Sequence, residues 1–170
     1  DYSGSLLAVK VDLLNHTATE GFAAGDTLIS IENVTGSDQA SQRDWLWGDA
    51  GPNTLLGLAG NDILEGGAGP DIIDGGAGWD YARYTRSASG VNINMRTGVH
   101  TGGDAEGDTL ISVEAIVGSN HDDTIIGNTG SNFYRGEGGN DSLTGGSHAD
   151  QLFGGSGADR FIFDTLTAFA

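Results

Sequence analysis

Glycine-rich blocks recur every nine residues along this chain, and a period that short leaves room for only one turn and one brief strand per block. Residues 48–56 read GDAGPNTLL, 57–65 GLAGNDILE, 66–74 GGAGPDIID and 75–83 GGAGWDYAR, while 39–47 is degenerate and keeps only Asp44 and Leu46. The register returns at 118–126 (GSNHDDTII), 127–135 (GNTGSNFYR), 136–144 (GEGGNDSLT), 145–153 (GGSHADQLF) and 154–162 (GGSGADRFI). Positions one to five are small or polar, position six is Asp or Asn, and position eight is usually large and apolar. Gly at positions one, two and four accepts the positive φ values that a tight turn needs. The last three residues of each block are then a strand with one inward side chain: Leu46, Leu55, Leu64, Ile73, Ala82, Ile125, Tyr134, Leu143, Leu152 or Phe161. Two blocks make one coil of 18 residues, so turns on the same side come from alternate blocks.

The rest of the chain is a second kind of unit, present twice. Residues 1–37 align with 83–119 at an offset of 82, Gly25-Asp26-Thr27-Leu28 falling on Gly107-Asp108-Thr109-Leu110 and Gly36-Ser37 on Gly118-Ser119. Alternating apolar residues in Ala8–Leu14 and Val91–Met95 predict strands that cap or flank the repeats. The predicted organisation is 1–38 insert, 39–83 first array, 84–117 second insert, 118–162 second array and 163–170 a truncated continuation, all in one continuous domain.

Charge decides what such a chain can bind. It carries 24 Asp and Glu against 7 Lys and Arg, a formal −17, with Lys10 the one lysine. Nucleic acid and anionic lipid would be repelled, and cations attracted. No apolar run approaches the roughly 20 residues of a membrane span. Leu, Ile, Val and Phe make up about 22% of the chain, little above the roughly 20% below which highly charged sequences stay disordered. An all-apolar core is therefore thin, and the absence of Cys removes disulfides as a substitute.

Turns rich in carbonyls and carboxylates, with no Cys and four scattered His, suit a hard cation, and calcium tolerates irregular oxygen sites better than magnesium. His16, His100, His121 and His148 lack zinc-site spacing; His121 and His148 each stand where a position-four Gly is expected. Ser3, Ser87, Tyr2 and Tyr84 have no partnered base or nucleophile motif, so no catalytic role is predicted. Trp45, Trp47 and Trp79 fit a sugar-stacking surface, while the position-seven and position-nine placement of Trp45 and Trp47 fits equally an exposed face of the fold or an end cap. Asp26 and Asp108, each in a GDTL, and likewise Glu32 and Glu114, either extend the cation ladder or merely start strands.

The blocks resemble the GGxGxDxUx nonapeptide of the RTX, or haemolysin-type, calcium-binding family, and 79–119 resembles the insert that separates repeat blocks in large RTX proteins. The resemblance implies an all-β fold, a right-handed parallel β-roll, in which each calcium ion sits between same-side turns 18 residues apart. It implies carbonyls from positions two and four with the position-six side chain of one turn, and carbonyls from positions one and three with position six of the next. Carried onto this sequence, Leu58, Gly60 and Asp62 would join Gly75, Ala77 and Asp80. Glu137, Gly139 and Asp141 would join Gly154, Ser156 and Asp159, and Ser119, His121 and Asp123 would join Gly136, Gly138 and Asp141. Two sites with Asn in place of one Asp are expected to be weaker: Asp49, Gly51 and Asn53 with Gly66, Ala68 and Asp71, and Asn128, Gly130 and Asn132 with Gly145, Ser147 and Asp150. A sixth, Ala40, Gln42 and Asp44 with Gly57, Ala59 and Asp62, departs furthest from the pattern.

About six calcium ions would offset twelve of the seventeen formal negative charges, and binding free energy would become folding free energy. The resemblance implies a secreted, extracellular module of a larger exported protein, unfolded before export through type I machinery and folded by calcium outside. The sequence also admits an adhesive module binding a surface glycan, or a segment of a secreted toxin or enzyme whose active site lies elsewhere. The chain opens inside an insert-like segment without a visible signal peptide and ends at FIFDTLTAFA where the family pattern would continue, so a longer parent is expected.

Overall fold

The computed structural model describes residues 1–163; most of the predicted continuation at 163–170 lies outside them. In every block the three residues at positions seven to nine are a strand. These are Trp45–Trp47, Thr54–Leu56, Ile63–Glu65, Ile72–Asp74 and Tyr81–Arg83 in the first array. The second array has Thr124–Ile126, Phe133–Gly138, Ser142–Thr144, Gln151–Ser156 and Arg160–Ile162, two of which run on into the following turn. The middle residue points inward, as the pleat requires. Leu46, Leu55, Leu64, Ile73, Ala82, Ile125, Tyr134 and Leu143 are all 0% exposed. Burying each of the Leu and Ile side chains contributes about 1.5–3 kcal/mol. Leu152 only packs against the edge of this core, and Phe161, expected inward, is 42% exposed, with no further coil stacked over it among the described residues.

Alternate strands go to opposite walls. One wall is a continuous eight-stranded sheet in the order Thr17–Thr19, Lys10–Asp12, Trp45–Trp47, Ile63–Glu65, Tyr81–Arg83, Ala115–Val117, Phe133–Gly138 and Gln151–Ser156. Only the Thr17–Thr19 pairing is antiparallel. The other wall is divided. Asn33–Thr35, Thr54–Leu56, Ile72–Asp74 and Thr109–Ile111 form a four-stranded parallel sheet. Val99–Thr101, Asn92–Asn94, Thr124–Ile126, Ser142–Thr144 and Arg160–Ile162 form a five-stranded one, antiparallel only at its first pair. The inward residues of both walls meet in one hydrophobic cluster. The fold is an all-β parallel roll.

The two inserts are parts of the roll. Each opens with a short hairpin, Lys10–Asp12 with Thr17–Thr19 and Asn92–Asn94 with Val99–Thr101, laid on the first strand of the array that follows. From the second hairpin the chain doubles back, so that Thr109–Ile111 covers Ile72–Asp74 and Ala115–Val117 covers Tyr81–Arg83. Sheet edges that would otherwise be left open at the end of the first array are thereby paired. Ala115–Val117 also pairs with Phe133–Gly138, which carries the eight-stranded sheet from one array into the other.

Candidate metal centres

The turns are set by local polar bonds. Gly51 N–H donates to Asp49 Oδ1 and Gly130 N–H to Asn128 Oδ1, each over 2.8 Å, and His121 N–H donates to Ser119 Oγ over 3.0 Å. Such bonds from a residue two places back are what Asp, Asn and Ser bring to a turn. Successive turns then stack: Ala77 N–H donates to Leu58 O (2.7 Å) and Ala68 N–H to Asp49 O (3.1 Å), leaving each carbonyl a second lone pair. The stacking leaves no room for side chains at some positions. Gly78 has φ +151°, and a Cβ there would collide with Gly60 O.

Position six forms the spine of the ladder. The main-chain N–H of each such residue donates to the carboxylate of its counterpart one coil on: Asp44 to Asp62 (2.8 Å), Asn53 to Asp71 (2.8 Å), Asp62 to Asp80 (2.7 Å), Asp123 to Asp141 (2.9 Å), Asn132 to Asp150 (3.0 Å) and Asp141 to Asp159 (3.0 Å). All six predicted pairs of turns are therefore in contact through position six. In four of these carboxylates, those of Asp62, Asp71, Asp80 and Asp141, one oxygen is used this way and the other is stranded. Asp62, Asp71, Asp80 and Asp141 are essentially fully buried, and Oδ2 of each has no hydrogen-bond partner. So too for Asn132 Oδ1.

These stranded oxygens converge with main-chain carbonyls. A Cβ built on Gly57 would lie 2.6 Å from Asp62 Oδ2 and 2.6 Å from Gly75 O, the position-one carbonyl of the next turn. A Cβ on Gly136 would meet Asp141 Oδ2 and, at 2.6 Å, Gly154 O. Glycine at position one thus opens a space lined by oxygen from two turns. Electrostatics point the same way. Burial, and then the charges of Asp44 and Asp80, push the Asp62 carboxyl up to about 7. Burial pushes Asp71 to about 7, and Asp80 and Asp141 to about 6, with neighbouring carboxylates adding to the effect. Asp44 and Asp123 are raised by burial as well. Buried carboxylates that repel one another and leave oxygens unpartnered fit a hard divalent cation. Among the described residues no cluster of three or more His, Asp or Glu side chains forms, as expected when most donors are main-chain carbonyls.

The first turn differs from the expected register. Ser37 N–H donates to Asp44 Oδ2 as Ser119 N–H does to Asp123 Oδ2, and Asp38 bridges Ala59. Gly36, Ser37 and Asp38 are therefore positions one to three, and exposed Ala40, expected at position two, sits in an extension of the turn. Gln42 keeps position four, its carbonyl 2.6 Å from a Cβ built on Gly60. The alignment of Gly36-Ser37 with Gly118-Ser119 already carried this signal. Of the two histidines at position four, His148 has φ 76° while His121 is not in the left-handed region. Asp108 and Glu114 both lie at position six by register, because Thr109 pairs with Ile72 and Ala115 with Tyr81. Asp26 is instead exposed and accepts from Tyr2 Oη (3.0 Å).

The family model for the RTX calcium-binding nonapeptide repeat matches four segments, residues 41–71, 56–83, 115–134 and 126–161. No curated protein matches the chain. The family's repeats are structural elements that bind calcium, which is the hard cation the stranded oxygens call for. The matched segments cover more than half of the sequence and follow the stacked turns, so the chain belongs to the RTX calcium-binding nonapeptide repeat family.

Proposed function

We propose that this chain is a calcium-dependent folding module of a larger exported protein, with six ions held between the paired turns named above. The observation that carries the reading is the row of buried, unpartnered Oδ2 atoms at Asp62, Asp71, Asp80 and Asp141. Without a cation they repel one another in a low-dielectric interior, and the roll is destabilised. With it, the same oxygens become the main bond between coils. Extracellular calcium modules bind at roughly 10⁻⁴–10⁻³ M, so the chain would stay loose in a cytosol poor in calcium and fold outside, which suits passage through a narrow type I channel. Among the described residues no helix is long and apolar enough to cross a membrane.

Far-UV circular dichroism during a calcium titration from a chelated start, with magnesium as control, tests this. A cooperative gain of β signal with calcium and not with magnesium is the expected result. A chain already folded in chelator overturns it.

An adhesive role has one observation in its favour. Outward residues of the eight-stranded sheet form a row of rings, with Trp45 against Trp47 (5.3 Å between centroids), Tyr81 against Phe133 (5.9 Å) and Phe133 against Phe153 (5.2 Å). Arg43, Arg83 and Arg86 lie over Tyr81, Trp45 and Trp47. Rings of this kind stack on sugars, whereas Trp79 sits apart in a turn. A glycan array with Trp47→Ala as control tests this reading; absence of any Trp47-dependent signal removes it.

A further inference from the structure

We propose that the segment Asp108–Glu114, between the two arrays, closes two further divalent-cation sites on the last coil of the first array: one at Asp71 and Asp108, the other at Asp80, Ser112 and Glu114. The proposal rests on the calcium reading above. Asp108, Ser112 and Glu114 lie outside the segments that match the nonapeptide family, whereas Asp71 and Asp80 lie within them.

Hydrogen bonding gives the first ground. Asp71 N–H donates to Asp108 Oδ1 over 2.9 Å, as Asn53 N–H does to Asp71. Asp80 N–H donates to Glu114 Oε2 over 3.0 Å, as Asp62 N–H does to Asp80. The ladder thus continues across separations of 37 and 34 residues where its ordinary step is 18. A main-chain carbonyl is also replaced in kind. Where a Cβ on Gly57 would meet Gly75 O, a Cβ on Gly75 would meet Ser112 O. Glu114 follows Ser112 by two residues, whereas Asp62 follows Gly57 by five; the longer Glu side chain reaches the ladder without a glycine-rich turn.

Stranded atoms give the second ground. Asp71 is 1% exposed and Asp80 is 0% exposed, and Oδ2 of each has no partner although it lies at these two junctions. The charged groups acting on Asp71 are Asp108, Asp49 and Asp104, and those acting on Asp80 are Glu114 and Asp74, all of them carboxylates. Carboxylates that repel one another across a buried, unpartnered oxygen call for a cation. Tyr84 Oη donates to Asp108 Oδ2 over 2.9 Å and so holds the Asp108 carboxylate in place. A cation at each junction would fasten the insert to the first array.

Asp108→Asn and Glu114→Gln keep the acceptor oxygen for the ladder bond while removing the charge. Calcium bound per full chain, measured by equilibrium dialysis and atomic emission, should fall by one ion in each variant and by two in the double variant. Asp159→Asn serves as the comparison within the nonapeptides. If the wild type binds no calcium, the underlying reading fails and this one with it. If Asp159→Asn lowers the count and Asp108→Asn and Glu114→Gln do not, the nonapeptide sites stand and this proposal is overturned. Should either variant fail to fold in saturating calcium, terbium luminescence of the wild type against Tyr84→Phe decides: a drop in tyrosine-sensitised emission is expected from an ion beside Asp108, and unchanged emission overturns the Asp108 site.

Discussion

The main-chain N–H of Asp62 donates to Asp80 Oδ1 over 2.7 Å, and Oδ2 of both residues is left buried without a partner. Asp62 faces Asp44 on one side and Asp80 on the other, so its carboxylate serves two of the proposed sites; Asp159 serves one. Asp62→Asn is expected to raise the calcium midpoint of folding by about tenfold or more, since a charged acceptor in a buried site is worth about 1.5–3 kcal/mol. Asp159→Asn should shift it less. Equal midpoints in calcium titrations of the two variants would contradict the shared-ligand arrangement.

The raised carboxyls make folding without metal depend on pH in a defined direction. Asp62 and Asp71 titrate near pH 7 in the folded chain and near 4 when unfolded, so between those values the folded form holds more protons. Their contribution to the metal-free fold is therefore fully present below about pH 4 and is lost as pH rises through about 7. Calcium needs the deprotonated groups, so its midpoint should rise between about pH 8 and about pH 6. Circular dichroism in chelator and in calcium across this range checks both signs, and a calcium midpoint independent of pH would count against ligation by these carboxylates.

Two glycine substitutions separate packing from composition. Gly78→Ala places a methyl group against Gly60 O at φ +151° and is expected to cost about 2 kcal/mol or more, enough to prevent folding at moderate calcium. Gly51 has ordinary φ, and a Cβ there would meet only Asp49 Oδ1 at 3.4 Å. Gly51→Ala should stay within about 0.5 kcal/mol of the wild type in calcium-loaded denaturation.

His148 is exposed and holds φ 76°, a conformation that L-residues resist by about 1–2 kcal/mol. His148→Gly removes that strain with little loss of packing. The calcium-loaded chain should gain about 1 kcal/mol in denaturant titration; a loss would show that the imidazole makes a contact that outweighs the strain.

Much of this was legible in the residues. A period of nine with an apolar residue at position eight placed every strand of both arrays, because the pattern leaves a single residue per block that can be inward. The pairing of position six across 18 residues followed from the same count. What the count missed or left open was the part where spacing is irregular. The extended first turn hid Ser37 behind Ala40, since three extra residues break the count without disturbing the stack. Asp108 and Glu114 are separated from their partners by a hairpin that belongs to the next array, so no fixed offset links them. His121 and His148 stand at the same position of their blocks, yet only one is left-handed, a difference set by the neighbouring backbone.

The strand Ala115–Val117 is paired on both sides, to Tyr81–Arg83 before the insert and to Phe133–Gly138 after it. In a solenoid, order spreads from each coil to its neighbour, so a broken stack melts in pieces and an unbroken one melts together. This three-residue splice therefore couples the two arrays along that wall: a nucleus formed in either array can zip through to the other.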